Sequence, residues 1–125
     1  MRVLLDTNIV YWWFYESFRL PPASVSIVKQ ATSVFISSAS LWEIAIKVRL
    51  GKMNVEPARL LELIDATDFI ELPVTFRHAI LVADLPLYHA DPFDRLLIAQ
   101  ALREPMHLIT SDRHLKQYSE LVIEI

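Results

Sequence analysis

The sequence contains no cysteine among its 125 residues, and it contains a single glycine. The absence of cysteine excludes disulfides and thiolate metal sites, and it fits a protein of a reducing compartment. No apolar run approaches the roughly 20 residues that a membrane-spanning helix requires. Asp6 interrupts the short apolar stretch behind Arg2, which disfavours a signal peptide. We therefore expect a cytoplasmic protein without a membrane segment.

The chain also lacks the surplus of positive charge that is common in nucleic-acid-binding proteins. Twelve basic and fifteen acidic residues give a formal net charge of −3. Five of the acidic residues are candidates for a shared site, and without them ten acidic residues face twelve basic ones. A cation held by those five would add positive charge where a phosphate would bind. The composition therefore admits a nucleic-acid substrate, but it disfavours tight non-specific binding by charge alone.

Strand-like and helix-like segments alternate along the chain, and 54% of the residues are hydrophobic. The predicted strands are residues 3–5, 34–36, 69–72, 107–110 and 121–125. The predicted helices are residues 8–18, 23–31, 40–50, 57–66, 75–83, 92–103 and 112–118, with Gly51 just past the end of the third. This alternation predicts an α/β fold, in which helices cover both faces of a parallel, roughly five-stranded sheet. We expect residues 1–125 to form a single domain.

Five carboxylates lie at or near the junctions of these elements: Asp6, Glu43, Asp91, Asp94 and Asp112. Four of the five stand where a predicted helix begins, after a strand or the turn that follows it. In an open α/β sheet these turns gather at the carboxyl edge, where ligands bind. Like charges brought together there either take up protons or bind a cation. The spacing therefore favours a metal site.

Each acid also has a purely structural interpretation. The segment Ser40-Leu41-Trp42-Glu43 resembles a capping box, in which Glu43 would reach back to the Ser40 amide. Asp91 before Pro92 is a natural N-cap, Asp94 would favour the positive end of the same helix, and Asp112 is another N-cap candidate. A protein that needs only caps can use Ser, Thr or Asn, which do not repel one another. The joint placement therefore favours function.

The donor types indicate which metal such a site would hold. Mg²⁺ and Mn²⁺ prefer oxygen ligands, whereas zinc favours cysteine and histidine. None of the four histidines shows helical ligand spacing with another, and His89 and His114 are at most supporting or substrate contacts. A carboxylate-held Mg²⁺ polarises a phosphoryl oxygen and activates water. Hydroxyl and amide side chains beside the acids are candidates to orient them or simply to form turns: Thr7, Asn8, Ser38, Thr110 and Ser111.

Four blocks occur in a fixed order, and together they resemble the PIN-domain family. They are Leu4-Leu5-Asp6-Thr7-Asn8, Ser38-Ala39-Ser40-Leu41-Trp42-Glu43-Ile44-Ala45, Asp91-Pro92-Phe93-Asp94-Arg95-Leu96-Leu97-Ile98-Ala99-Gln100-Ala101 and Ile109-Thr110-Ser111-Asp112. Within the family, the chain is most similar to VapC-type toxins of prokaryotic toxin–antitoxin pairs. The resemblance covers nearly the whole chain.

The resemblance carries expectations about the site and the partners. Asp6, Glu43, Asp94 and Asp112 match the family's acidic quartet, which holds Mg²⁺ or Mn²⁺, while Asp91 is compatible with either a ligand or a cap. The family implies an α/β/α sandwich and metal-dependent hydrolysis of RNA. It also implies a homodimer and an antitoxin protein that blocks the site.

Two further features bear on binding. Six basic residues follow the acids and either contact RNA phosphates or form a solvated face: Lys47, Arg49, Lys52, Arg95, Arg113 and Lys116. The run Tyr11-Trp12-Trp13-Phe14-Tyr15 has more aromatic side chains than one helix face can bury. We expect part of it to lie in the core and part to offer a surface to a second subunit or an antitoxin helix.

Three alternative functions compete with an RNA-cleaving toxin. A PIN-type nuclease acting on DNA or structured nucleic acid is disfavoured by the short chain. A phospho-aspartate receiver or phosphatase would carry adjacent acids or Asp-x-Asp after the first strand, but Asp6 is followed by Thr7 and Asn8. A non-catalytic binding module would use the acids only as caps, and it would bind no Mn²⁺.

Overall fold

The computed structural model describes residues 1–125 as a five-stranded parallel sheet with helices on both faces. The strands are β1 (Arg2–Leu5), β2 (Ser33–Ser37), β3 (Ile70–Leu72), β4 (His107–Thr110) and β5 (Val122–Glu124). The helices are α1 (Thr7–Tyr15), α2 (Pro22–Gln30), α3 (Ser38–Arg49), α4 (Pro57–Asp65), α5 (Phe76–Leu81) and α6 (Pro92–Arg103). Short 3₁₀ helices occupy Ser17–Arg19, Val82–Asp84 and Arg113–Tyr118. The predicted α/β fold and parallel sheet are confirmed.

Strand β1 lies at the centre of the sheet, whose order is β3-β2-β1-β4-β5. Leu5 is in register with Ile36 on one side and with Ile109 on the other, so β1 ends one residue before both neighbours. The strand order reverses between β1 and β4, and in such folds the crevice at this point is where ligands bind. The side chains that follow β1 and β4 therefore lie at the most favourable place for a site.

Successive side chains of the strands enter two separate cores, as alternation along a strand requires. Val3 and Leu5 are fully buried in the core formed with α1 to α4, whereas Leu4 is buried in the core formed with α5 and α6. The helices thus cover both faces, which explains why nearly every residue of β1 is apolar.

Most helix boundaries differ from the predicted ones by one to three residues, and α1 ends at Tyr15 rather than Phe18. Helix α3 begins at Ser38 rather than Ser40, because the Ser37 side chain accepts a hydrogen bond from the Ala39 amide at 3.0 Å and acts as the N-cap. The capping-box alternative for Ser40 and Glu43 is therefore wrong. The last predicted helix is the 3₁₀ helix Arg113–Tyr118. Gly51 follows α3 with φ +73°, as predicted for a glycine past a helix end.

The aromatic run of α1 divides between core and surface. Trp13 and Phe14 pack against Phe69, with ring centroids 5.8 and 6.0 Å apart. Tyr15 is exposed, which agrees with the prediction that one helix face cannot bury the whole run. None of the helices combines the length and the apolar character that crossing a bilayer demands.

Candidate active site

Asp6 is the most constrained carboxylate of the site. It follows β1 directly, and its amide donates to the Ile109 carbonyl of β4 at 2.9 Å. Its Oδ1 accepts from the Thr7 amide at 2.7 Å, and its Oδ2 accepts from the Thr110 hydroxyl at 2.6 Å. The side chain is only 5% exposed. Burial raises the pKa of Asp6 to about 6, although both hydrogen bonds lower it, and the charges of Glu43 and Asp112 raise it further.

Glu43 extends from the second turn of α3 and is buried beside Asp6. Its Oε2 is 3.1 Å from the Lys47 Nζ, one helical turn further on. Its Oε1 is buried and has no hydrogen-bond partner. Helix α3 is held against α1 by a hydrogen bond of 3.0 Å from the Thr7 hydroxyl to the Ser40 hydroxyl. An unpaired buried carboxylate oxygen is costly, and a cation would satisfy it.

Asp91 and Asp94 share the start of α6 but have different surroundings. Asp91 is the N-cap, and its Oδ1 accepts from the amides of Phe93 at 2.8 Å and Asp94 at 3.1 Å. Asp94 caps nothing. Desolvation raises the pKa of Asp94 to about 8, and the charges of the other four acids raise it too, Asp6 most of all. The position of Asp91 thus supports its interpretation as a cap.

Asp112 follows β4 and is surrounded by two histidines. Its Oδ2 is 2.8 Å from the His89 Nε2, and its Oδ1 accepts from the His114 amide at 2.9 Å and lies 3.1 Å from the His114 Nδ1. Partial burial raises the pKa of Asp112, but these hydrogen bonds outweigh it, and the pKa lies below its usual value. The His89 Nε2 is also 3.3 Å from the Asp94 Oδ2. His89 therefore bridges two of the predicted ligands.

The four quartet acids lie at one edge of the sheet, close enough for their charges to act on one another. The tightest group is His89, Asp94 and Asp112, whose potential ligand atoms all lie within 4.8 Å of one another. Asp6 and Glu43 lie outside that group. Helix capping accounts for Asp6, Asp91 and Asp112, each of which accepts a backbone amide. It does not account for Glu43 or Asp94.

The predicted supporting residues have different roles. The Thr110 hydroxyl and the Thr7 backbone amide donate to the Asp6 carboxylate, whereas the Thr7 hydroxyl donates to Ser40. The Ser38 hydroxyl instead accepts from the Val74 amide at 3.2 Å, which ties α3 to the segment after β3. Asn8 is exposed and Ser111 is half-buried.

The predicted basic contacts divide into engaged and free side chains. Arg95 is only 9% exposed, and its guanidinium donates to the carbonyls of Val82, Leu85 and Pro86 and to the Tyr118 hydroxyl. The prediction that Arg95 contacts RNA is therefore wrong, because this side chain fixes the loop before α6. Lys47 is paired with Glu43, and Lys116 donates to the Val122 carbonyl at 2.8 Å. Arg49, Lys52 and Arg113 are exposed.

The contacts of two residues in the site, His89 and Ser40, are not indicated by the sequence. His89 lies in a loop and shows no periodic relation to the acids, so nothing in its spacing indicates that it reaches Asp94 and Asp112. Its Nδ1 accepts from the Asp91 amide at 3.0 Å, which fixes the ring. Ser40 was assigned to a cap, but it lies inside α3 and bonds Thr7. The only available signal for His89 is its position two residues before Asp91.

A family model, a known protein and solved structures are all similar to this chain over most of its length. A family model described as PIN domain matches residues 3–121. Ribonuclease VapC22 of Mycobacterium tuberculosis is 28% identical over 118 residues, which are 93% of this chain and 91% of that protein. A chain of the solved structure of VapBC2 from Rickettsia felis, bound to a promoter DNA fragment, is similar at 18% identity with a TM-score of 0.73, over 100% of this chain and 98% of that one. DNA-bound VapBC from Salmonella typhimurium is similar at 16% identity with a TM-score of 0.71, over 99% and 98% of the two chains. At such identities the two structures establish the fold.

Proposed function

The chain belongs to the PIN-domain family, and from that premise we propose that it is a metal-dependent endoribonuclease that acts as the toxin of a toxin–antitoxin pair. One observation carries the proposal: Glu43 and Asp94 are carboxylates that cap no helix, yet both lie at the carboxyl edge of the sheet beside Asp6 and Asp112. Burying several acids together costs free energy unless other interactions stabilise their charges. A cation-dependent activity would explain why these acids lie together.

The side chains present fit a hard divalent cation. The donors are predominantly carboxylate oxygens, which suit Mg²⁺ and Mn²⁺. The buried Glu43 Oε1 has no hydrogen-bond partner. Burial, together with the charges of neighbouring acids, raises the pKa values of Asp6 and Asp94, an effect that a bound cation would oppose. Asp6, Glu43, Asp94 and Asp112 are the proposed ligands. When bound, such an ion would polarise a phosphoryl oxygen of the substrate and activate a water for hydrolysis of the phosphodiester.

The chain's own residues contribute positioning to this chemistry. Thr7 and Thr110 fix the two oxygens of Asp6, and the bond between Thr7 and Ser40 fixes the separation of α1 and α3. His89 orients Asp112 and limits its rotation. Such partners hold ligands in a productive geometry and commonly change metal affinity by about 10- to 100-fold when removed.

The proposed substrate and partners derive from the relatives. The similar Mycobacterium tuberculosis protein is named a ribonuclease, which supports RNA as the substrate. The similar solved chains come from VapBC and other toxin–antitoxin complexes, which supports an antitoxin as a partner of this chain. We also propose a homodimer, and the cytoplasm as the compartment in which the protein acts.

The decisive experiment incubates purified, antitoxin-free protein with a total RNA pool in Mg²⁺, in Mn²⁺ and in EDTA. Wild-type protein should cleave RNA only with metal, and Asp94→Asn should lose at least about 100-fold in rate because a proposed ligand is removed. Asp68→Asn is the matched control, since Asp68 is exposed and remote from the site. Undiminished cleavage by Asp94→Asn would overturn the ligand assignment. Folded protein that binds no Mn²⁺ and cuts neither RNA nor DNA would favour the binding module.

A further inference from the structure

An exposed aromatic pair borders the acidic site. Trp42 is 62% exposed on α3, and its ring contacts the half-buried Phe93 of α6 edge to face, with centroids 5.2 Å apart at 67°. Each residue immediately precedes a proposed metal ligand, Glu43 and Asp94 respectively. The pair therefore spans the two helices that present these carboxylates.

Packing in the core does not explain why Trp42 is exposed. A tryptophan buries a large apolar surface when it packs inside a protein, and leaving it in water forgoes that gain. The tilted contact with Phe93 covers at most one face of the indole, so another flat face of this exposed ring remains open. Exposed aromatic side chains beside a site commonly mark where a ligand binds.

The surface of α3 next to Trp42 fits a nucleic-acid strand. Ala45 and Arg49 are also exposed, three and seven residues further along the helix, so they lie on the same side as Trp42. At a rise of about 1.5 Å per residue, Arg49 lies roughly 10 Å from Trp42 along the helix axis. The ring of Trp42 can stack on a base, and the small side chain of Ala45 leaves room for the strand. The guanidinium of Arg49 can then contact a phosphate of the same strand. Arg49 has no ion-pair partner.

We propose that Trp42, held by Phe93, is a stacking platform for an unpaired base of the RNA, next to the bond that is cut, with Arg49 contacting the phosphate backbone. This inference rests on the proposed ribonuclease function and adds to it a side chain that contacts an unpaired base. In a duplex the faces of the bases are covered by their neighbours, so a side chain can stack only on an unstacked base.

The first test measures binding without cleavage. A fluorescently labelled single-stranded RNA oligonucleotide is titrated into the Asp94→Asn protein with Mn²⁺, and its anisotropy is followed. Adding Trp42→Ala should weaken binding roughly 5- to 100-fold, the range for loss of one base–aromatic stack. Trp42→Phe should restore most of the affinity because it keeps a flat ring. Phe18→Ala is the matched control, since Phe18 is 81% exposed and lies beyond the far end of α1.

The second test uses the cleaving protein. Trp42→Ala in an otherwise wild-type chain should raise KM for single-stranded RNA by a similar factor, with a much smaller change in kcat, because the ring touches the base and not the reacting phosphate. Arg49→Ala should weaken binding and reduce its salt dependence.

The outcomes separate the inference from the function on which it rests. If wild-type protein cleaves RNA and Trp42→Ala binds and cuts single strands with unchanged affinity and KM, the platform is refuted while the nuclease stands. The same holds if Trp42→Ala leaves RNA binding intact but weakens self-association or antitoxin binding, because the ring then serves a protein interface. If wild-type protein neither binds nor cuts RNA, the proposed function fails and the platform fails with it.

Discussion

Asp94→Asn should remove most of the pH dependence of stability in the metal-free protein at neutral pH. The pKa of Asp94 is raised from 3.8 to about 8 in the folded state. Between these values the folded state binds a proton that the unfolded state has released. The free energy of unfolding therefore falls as the pH rises through this window, by at most about 1.4 kcal/mol per pH unit.

The window from about pH 6 to about pH 7.5 isolates Asp94, because Asp6, with its pKa at about 6, contributes mainly below it. Over this range the upper limit for Asp94 is about 2 kcal/mol. The side chain is 17% exposed, so water screens part of the effect, and we expect about 1–2 kcal/mol. For a chain of this size that corresponds to a fall in Tm of roughly 3–10 °C.

The assay is urea or thermal unfolding in EDTA at both pH values, for wild type and Asp94→Asn. Asparagine is the neutral isostere of the protonated acid, so it retains the shape and loses the titration. Added Mn²⁺ should raise the Tm of the wild type, and more at the higher pH, because protons compete for the ligand.

One result would refute this reasoning. If the difference in unfolding free energy between wild type and Asp94→Asn were the same at both pH values, Asp94 would be ionised at no cost in the metal-free fold. The charges of the neighbouring acids would then not converge on it, and the argument for a metal site would lose its electrostatic support.

Three further predictions concern other parts of the molecule. Arg95→Ala should lower the free energy of unfolding by roughly 2–4 kcal/mol in urea unfolding, since it leaves buried carbonyls unpaired, whereas exposed Arg113→Ala should change it by less than about 0.5 kcal/mol; equal losses would contradict the buried role of Arg95. Thr110→Val should weaken Mn²⁺ binding about 10-fold or more by isothermal titration, because Asp6 loses its hydroxyl donor, and an unchanged affinity would show that this bond does not orient the ligand. Residues 1–125 should unfold in one transition that coincides by circular dichroism and tryptophan fluorescence; two separate transitions would contradict a single domain.

The alternation of short apolar strands with helices predicted the fold well, because strands buried on both faces leave a clear apolar signature. The β4 range, His107–Thr110, and the α6 range, Pro92–Arg103, are the same in the sequence-based prediction and in the structure. The carboxylates were predictable for a related reason. Carboxylates that follow the strands of a parallel sheet lie at the same edge of that sheet, and this does not depend on the conformation of the loops.

The predictions were wrong where several nearby side chains could make the same contact, or where a contact depends on the path of a loop. Ser37, Ser38 and Ser40 are all competent N-caps, and the sequence does not reveal which hydroxyl meets an amide. Arg95 was placed at the surface because it is charged, but four acceptors from a loop and from Tyr118 allow its burial. His89 reaches the acids only through the path of that loop. Such contacts depend on tertiary geometry, which spacing along the chain does not encode.

The central position of β1 has a consequence for the order in which the protein is synthesised. Strand β1 leaves the ribosome well before its second neighbour β4, which begins only at His107. Until then one edge of β1 has no partner, and Asp6 lacks both Thr110 and the neighbouring Asp112. A growing chain that carries three of the four proposed ligands therefore cannot assemble the site. With these four acids as the proposed ligands, the site is complete only when the last strands have joined the sheet.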